Sequence, residues 1–131
     1  MSKARIIIVE DEPIVSLEIQ DTLERLGYEI PAVLDSGDTV LENCMRYKPD
    51  LILMDIRLKS FIDGIDAARR LRMVSMVPII YLSAYTGEDT RTRAEKTQPS
   101  AFLSKPLDEK LLHEKIEQIL RNRPKEASAL T

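Results

Sequence analysis

The sequence predicts an α/β fold, a five-stranded parallel sheet with helices on both faces. Five short apolar runs, at 6–9, 30–34, 51–54, 79–82 and 101–103, recur along the 131 residues. The first, third and fourth are apolar without alternation, which is how a strand reads when both faces of its sheet are covered. Helical signals fill the gaps between the runs, so strand and helix alternate five times. Right-handed crossovers then wind the helices onto both faces, giving a doubly wound sheet.

The helices follow in order. Pro13 stands where a first-turn proline belongs, and Gly27 closes the segment. Within it Val15, Ile19, Leu23 and Leu26 form one apolar stripe. A second helix is expected to start near 36–38, bury Val40, Leu41, Cys44 and Met45, and stop before Pro49. The third runs from about Gly64 and buries Ile65, Ala68 and Leu71. The fourth, at 88–97, contains Ala94 as its one apolar residue. A helix polar nearly all round has little to bury and belongs among the least stable elements. A solvated surface helix and a movable element or partner surface are both open readings of it. The last helix begins near Asp108 and buries Leu112, Ile116, Ile119 and Leu120. Residues 1–123 are thus expected to form one domain, with 124–131 a flexible tail and no output domain.

Composition narrows the functional classes. Hydrophobic residues at 44% and charged residues at 31% describe a globular chain. Nineteen basic against 22 acidic residues leave a net charge of −3, which argues against direct nucleic-acid binding. One cysteine, Cys44, excludes an internal disulfide and a cysteine zinc cage, and is expected in the core of the second helix. No apolar run reaches membrane-spanning length, so no membrane insertion and a cytoplasmic location are expected. His113 reads as solvent-facing, and Arg69, Arg70 and Arg72 as a charged helix face.

In open α/β sheets, ligands bind beyond the carboxyl ends of the strands. The residues just after the runs are Glu10, Asp11 and Glu12, then Asp55, then Ser83, then Ser104, Lys105 and Pro106. Glu10, Asp11 and Asp55 against Lys105 give −3 + 1 = −2 at one rim. Clustered carboxylates repel one another unless a cation joins them. A hard divalent ion with oxygen ligands suits the cluster, and Mg²⁺ suits carboxylates plus phosphate and water. One carboxylate could then act as nucleophile toward a phosphoryl group. Asp55, alone at the end of the most apolar run, is the best candidate. Lys105 would serve as a point charge on the phosphoryl group, and the Ser83 hydroxyl would donate a hydrogen bond to it. Singly, each residue has a plainer role: the acidic pair as a helix cap, Asp55 as a turn residue, Lys-Pro as a loop. Their joint placement favours chemistry.

These blocks, IIIVEDE, LILMDIRL, DGIDAARRL, YLSAY and AFLSKP, resemble the receiver domain of two-component response regulators, over about residues 4–121. The resemblance implies a flavodoxin-like (βα)5 fold with strand order 2-1-3-4-5, as in stand-alone, chemotaxis-regulator-like receivers. It implies that Asp55 accepts a phosphoryl group from a sensor histidine kinase or phosphotransfer protein. Glu10, Asp11, Asp55 and the backbone carbonyl of Arg57 would hold Mg²⁺. Lys105 would pair with the phosphoryl oxygens, Ser83 would swing toward them, and Phe102 would be the aromatic switch. Phosphorylation would then bias binding of a downstream protein or a homodimer at the face of the fourth helix, fifth strand and fifth helix. Such a protein is a signalling switch, not an ordinary enzyme, although it would catalyse transfer to and hydrolysis from its own aspartate. Three differences from the family pattern stand out. Glu10 replaces the commoner Asp, Lys59 replaces a usual proline, and the segment from Asp55 to Gly64 is one residue longer. Tyr85 and Arg57 fall at variable positions that tune dephosphorylation in this family.

Other classes fit less well. A phosphatase working through an aspartyl phosphate needs a second Asp two residues on, where Arg57 stands. A nucleotide or flavin site lacks a glycine-rich loop after the first strand. A receiver-like binding module working without phosphorylation is the alternative to the switch.

Overall fold

The computed structural model describes residues 3–84 and 87–123. Tyr85 and the expected tail at 124–131 lie outside the described residues. The chain runs β1 (Ile6–Val9), α1 (Pro13–Arg25), β2 (Val33–Leu34), a 3-10 turn (Gly37–Thr39), α2 (Val40–Tyr47), β3 (Leu51–Asp55), α3 (Gly64–Leu71), β4 (Ile79–Ser83), α4 (Glu88–Glu95), β5 (Ala101–Ser104) and α5 (Glu109–Asn122). All strand pairs are parallel and the order is β2-β1-β3-β4-β5, the doubly wound sheet expected.

Two apolar clusters explain why the central strands do not alternate. Ile7, Val9, Ile52, Met54, Ile79 and Tyr81 pack with Val40, Cys44, Ile65, Ala68 and Leu71 of α2 and α3. Ile6, Ile8, Leu51, Leu53, Ile80 and Leu82 pack with Ile19 and Leu23 of α1 and Leu112 and Ile116 of α5. Successive strand residues point to opposite faces, and each face has its own helices, so every position is buried. At about 1.5–3 kcal/mol for each large aliphatic side chain buried, these strands are the main source of stability.

Helix ends follow local rules. Pro13 opens α1, and Gly27, at φ +98°, turns the chain out of it in a region that only glycine enters freely. The Asp63 carboxylate accepts from Asp66 N at 2.9 Å to cap α3. Asp108 caps α5 through the N–H groups of Lys110 and Leu111.

The structure departs from the sequence reading in places. The second strand is two residues long, not five. Pro31 has no N–H to give a ladder, and Val33 lies on the sheet's outer edge. Met45 is 54% exposed. It follows buried Cys44 by one position, a rotation of about 100° that carries it off the core-facing stripe. Arg72 is half-buried and donates to the carbonyls of Thr97, Ser75 and Gln98, so it ties α3 to the end of α4 and is no free charged face. His113 meets the Tyr28 ring edge-on at 6.1 Å instead of facing only solvent.

Two glycines allow backbones to approach at the carboxyl edge of the sheet. A Cβ on Gly64 would lie 2.2 Å from the Asp55 carbonyl oxygen, and one on Gly37 would lie 2.2 Å from that of Ile62. Neither backbone oxygen can give way without shifting a strand end or the loop before α3. Gly64→Ala and Gly37→Ala are each expected to lower stability by about 2–3 kcal/mol in urea unfolding. Gly87→Ala, whose Cβ meets nothing within 4 Å, is expected to cost under about 1 kcal/mol.

Candidate functional site

Parallel pairing brings the expected residues to one edge. Val9 pairs with Met54, and Asp55 with Leu82, so Glu10 and Asp55 leave β1 and β3 side by side. Ser83 pairs with Ser104, and Lys105 N donates to Ser83 O at 2.8 Å, which fixes Lys105 beside the end of β4. The Lys105 ammonium then donates to Glu10 Oε1 at 2.7 Å and to Asp55 Oδ2 at 3.0 Å. Glu10 and Asp55 are buried, while the Lys105 side chain is 18% exposed. One oxygen from each of Glu10, Asp11 and Asp55 lies within 4.8 Å of the others.

Backbone groups orient these carboxylates. Glu12 N donates to Glu10 Oε2 at 3.1 Å, and Arg57 N to Asp55 Oδ1 at 3.0 Å. Burial raises the Glu10 carboxyl above its usual range, and the neighbouring Asp55 charge adds to this against the hydrogen bonds from Lys105 and Glu12. Burial alone would push the Lys105 ammonium down, but its bonds to Glu10 and Asp55 outweigh that and hold it above its usual value. The ammonium is therefore fully charged at neutral pH.

The longer loop after Asp55 is tied at several points. Lys59 N donates to Asp11 Oδ2 at 2.7 Å. A proline at Lys59 has no N–H and could not make this bond, so the departure from the family pattern supplies a contact that aims the third carboxylate. Gly37 N donates to Ser60 Oγ, whose hydroxyl donates to Ile62 O at 2.6 Å. Leu58 and Ile62 are buried, whereas Phe61 between them is 97% exposed. Sequence reasoning marked Lys59 only as a departure from the family pattern and missed its bond to Asp11, and it missed Gly37 and Ser60, because these parts are played by backbone groups and a loop hydroxyl that no residue pattern marks.

Phe102 is half-buried on β5, its ring centroid 5.6 Å from that of Tyr81, with the Arg91 guanidinium carbon 3.9 Å from its own. Cys44 is buried, as expected. The cluster fits a hard divalent ion by its donor chemistry. All three side chains offer carboxylate oxygens, each already aimed by a backbone N–H group, and no soft ligand joins the cluster among the described residues.

A doubly wound sheet carrying buried carboxylates and a lysine at its carboxyl edge is the architecture of a signal receiver. The chain belongs to the response regulator receiver domain family, which it matches over residues 6–117. It is 34% identical over 102 residues to the transcriptional regulatory protein PdtaR of Mycobacterium tuberculosis, covering 78% of this chain and 49% of that one. Likewise it is 34% identical over 117 residues to YvcP of Bacillus subtilis, an uncharacterized transcriptional regulatory protein, covering 89% and 48%. The chain thus spans about half the length of these curated relatives. Among solved structures it resembles the signal receiver domain of a modulated diguanylate cyclase from Desulfovibrio desulfuricans, with a TM-score of 0.86, 31% identity and coverage of 92% and 95%. It also resembles the receiver domain of the sensor histidine kinase PA1611 from Pseudomonas aeruginosa, with a TM-score of 0.84, 28% identity and coverage of 92% and 100%. That structure has a magnesium ion coordinated in its active-site cleft. No helix of the described residues is long and apolar enough to cross a membrane.

Removing the shared cation isolates its contribution. Lys105→Met leaves Glu10 and Asp55 buried without it and is expected to cost about 2–4 kcal/mol at pH 7 in urea unfolding. Glu10, already raised by burial, binds its proton more tightly folded than unfolded, so the folded state gains as pH falls through its raised value. The deficit of the variant should therefore narrow at pH 5.

Proposed function

We propose that this receiver accepts a phosphoryl group on Asp55 from a phosphohistidine of a sensor histidine kinase or phosphotransfer protein. The observation that carries the reading is the Lys105 ammonium held between Asp55 and Glu10, with Asp11 in the same cluster. Glu10, Asp11, Asp55 and the Arg57 carbonyl would hold Mg²⁺. When bound, the ion supplies positive charge that lets an acidic cluster receive an anionic group.

The chain's own residues do the rest. A carboxylate oxygen of Asp55 attacks phosphorus, forming an acyl phosphate, while the donor's P–N bond breaks. Its electron pair returns to the imidazole nitrogen, which takes up a proton from solvent. Lys105 pairs with the phosphoryl oxygens, and Ser83, at the end of the neighbouring strand, donates its hydroxyl to one of them. Water later attacks phosphorus, the P–O bond to Asp55 breaks, and inorganic phosphate leaves with the carboxylate restored. Phosphorylation biases an equilibrium between two conformations, with Ser83 and Phe102 as its switch residues. The output is a changed affinity for a downstream protein or a second copy at the face of α4, β5 and α5. Arg91, Glu95, Phe102 and Lys115 already line a shallow groove there.

Incubation with acetyl phosphate and Mg²⁺ is expected to add one phosphoryl group by intact mass, and Asp55→Asn to abolish it. Labelling that persists in Asp55→Asn overturns the assignment. A wild-type chain that takes up none points to a binding module working without phosphorylation. Glu10→Gln and Asp11→Asn should each weaken the Mg²⁺-dependent rise in melting temperature by at least about tenfold in half-saturating concentration.

A further inference from the structure

Of the described residues of α4, Ala94 alone is buried, and the helix has no side-chain cap at its start. Its ion pairs, Arg91 with Glu95 and Arg93 with Asp66, are exposed and hold little. Something other than apolar packing must set where it lies.

Tyr81 is fully buried in the middle of β4, in the run IIYLS, where a phenol hydroxyl is costly unless it is bonded. It is bonded to Thr97, just past the end of α4, at 2.6 Å. The Thr97 hydroxyl donates to Ala94 O at 2.6 Å, so its oxygen is the acceptor and the Tyr81 hydroxyl the donor. Thr97 is itself buried, and Arg72 grips its carbonyl at 2.7 Å. At the other end of the connection, the Tyr81 ring lies against Phe102, its register partner on β5. Tyr81 and Ser83, two residues apart on one strand, share a face of the sheet.

We propose that the Tyr81 and Thr97 hydroxyls form a latch that holds α4 to the sheet. Tyr81 is then the positioning residue through which movement at Ser83 and Phe102 reaches that helix. The chain of contact is continuous: Phe102 ring, Tyr81 ring, Tyr81 hydroxyl, Thr97 hydroxyl, Ala94 carbonyl. Arg91, over the Phe102 ring, closes it from the helix side. The latch does not depend on Asp55 being a phosphoryl acceptor; its release on signalling does.

Hydrogen–deuterium exchange of the full chain tests this. Tyr81→Phe and Thr97→Val each remove a hydroxyl and little else, and should speed exchange in residues 88–98 by roughly five- to tenfold. Exchange in β1, β3 and α1 should stay as in the wild type, and Thr97→Ser, which keeps the hydroxyl, should restore protection. Tyr81→Phe should still take one phosphoryl group from acetyl phosphate and Mg²⁺, but the further change in α4 exchange on labelling should shrink. Unchanged exchange in 88–98, or exchange that rises in all segments alike, overturns the latch. A wild type that fails to label strikes the Asp55 assignment, while exchange in the unlabelled variants still decides the latch.

Discussion

The ammonium of Lys105 stands between two carboxylates that the fold has taken out of water, and the surrounding structure is arranged to keep it there. Two adjacent buried anions with no cation would repel each other and strain against their lost hydration. The sheet order brings Glu10 and Asp55 together, and the backbone bond from Lys105 N to Ser83 O delivers the cation. The close approach at Gly64 seats α3 against the end of β3. A strand slipped by one residue would break the set, because it would turn the carboxylate into the core and a core residue into the site.

The same arrangement suits a group that comes and goes. The carboxylates already accept fixed backbone N–H groups, and Lys105 links two of them through a long, partly exposed side chain. On the proposed reading, an arriving phosphoryl group would meet the Lys105 ammonium already at Asp55. In the proposed switch, what moves lies farther out, along β4 and β5 toward α4, the helix with the least buried apolar surface.

Much of this was legible in the sequence, for reasons that can be named. The runs at 6–9, 51–54 and 79–82 are short, continuously apolar and bounded by polar or turn residues, as strands buried on both faces read. Once they are parallel, Glu10, Asp55, Ser83 and Lys105 must share an edge. Legibility fails where the deciding group is main chain or where two distant residues meet. Nothing in the letter Lys59 says that its N–H bonds Asp11. Likewise, nothing in Tyr81 or Thr97 alone says that their hydroxyls join, since sixteen residues and a helix separate them. Met45 misled because an apolar residue beside Cys44 looks like core until the helical rotation is counted. Arg72 misled for the opposite reason, since a charge beside two exposed arginines looks solvated until the carbonyls past α4 are seen.

The brevity of β2 bears on how much of the sheet's edge stands open to another strand. Its central strands are almost wholly apolar, the kind of segment that recruits neighbouring chains when an unpaired edge offers it a template. On one side the sheet ends in two residues, preceded by Pro31, which has no N–H to offer an incoming strand. So little ladder is left open there that a stray strand gains few bonds by adding to it. The irregularity that cuts β2 shorter than its apolar run thus leaves the sheet little open edge on that side.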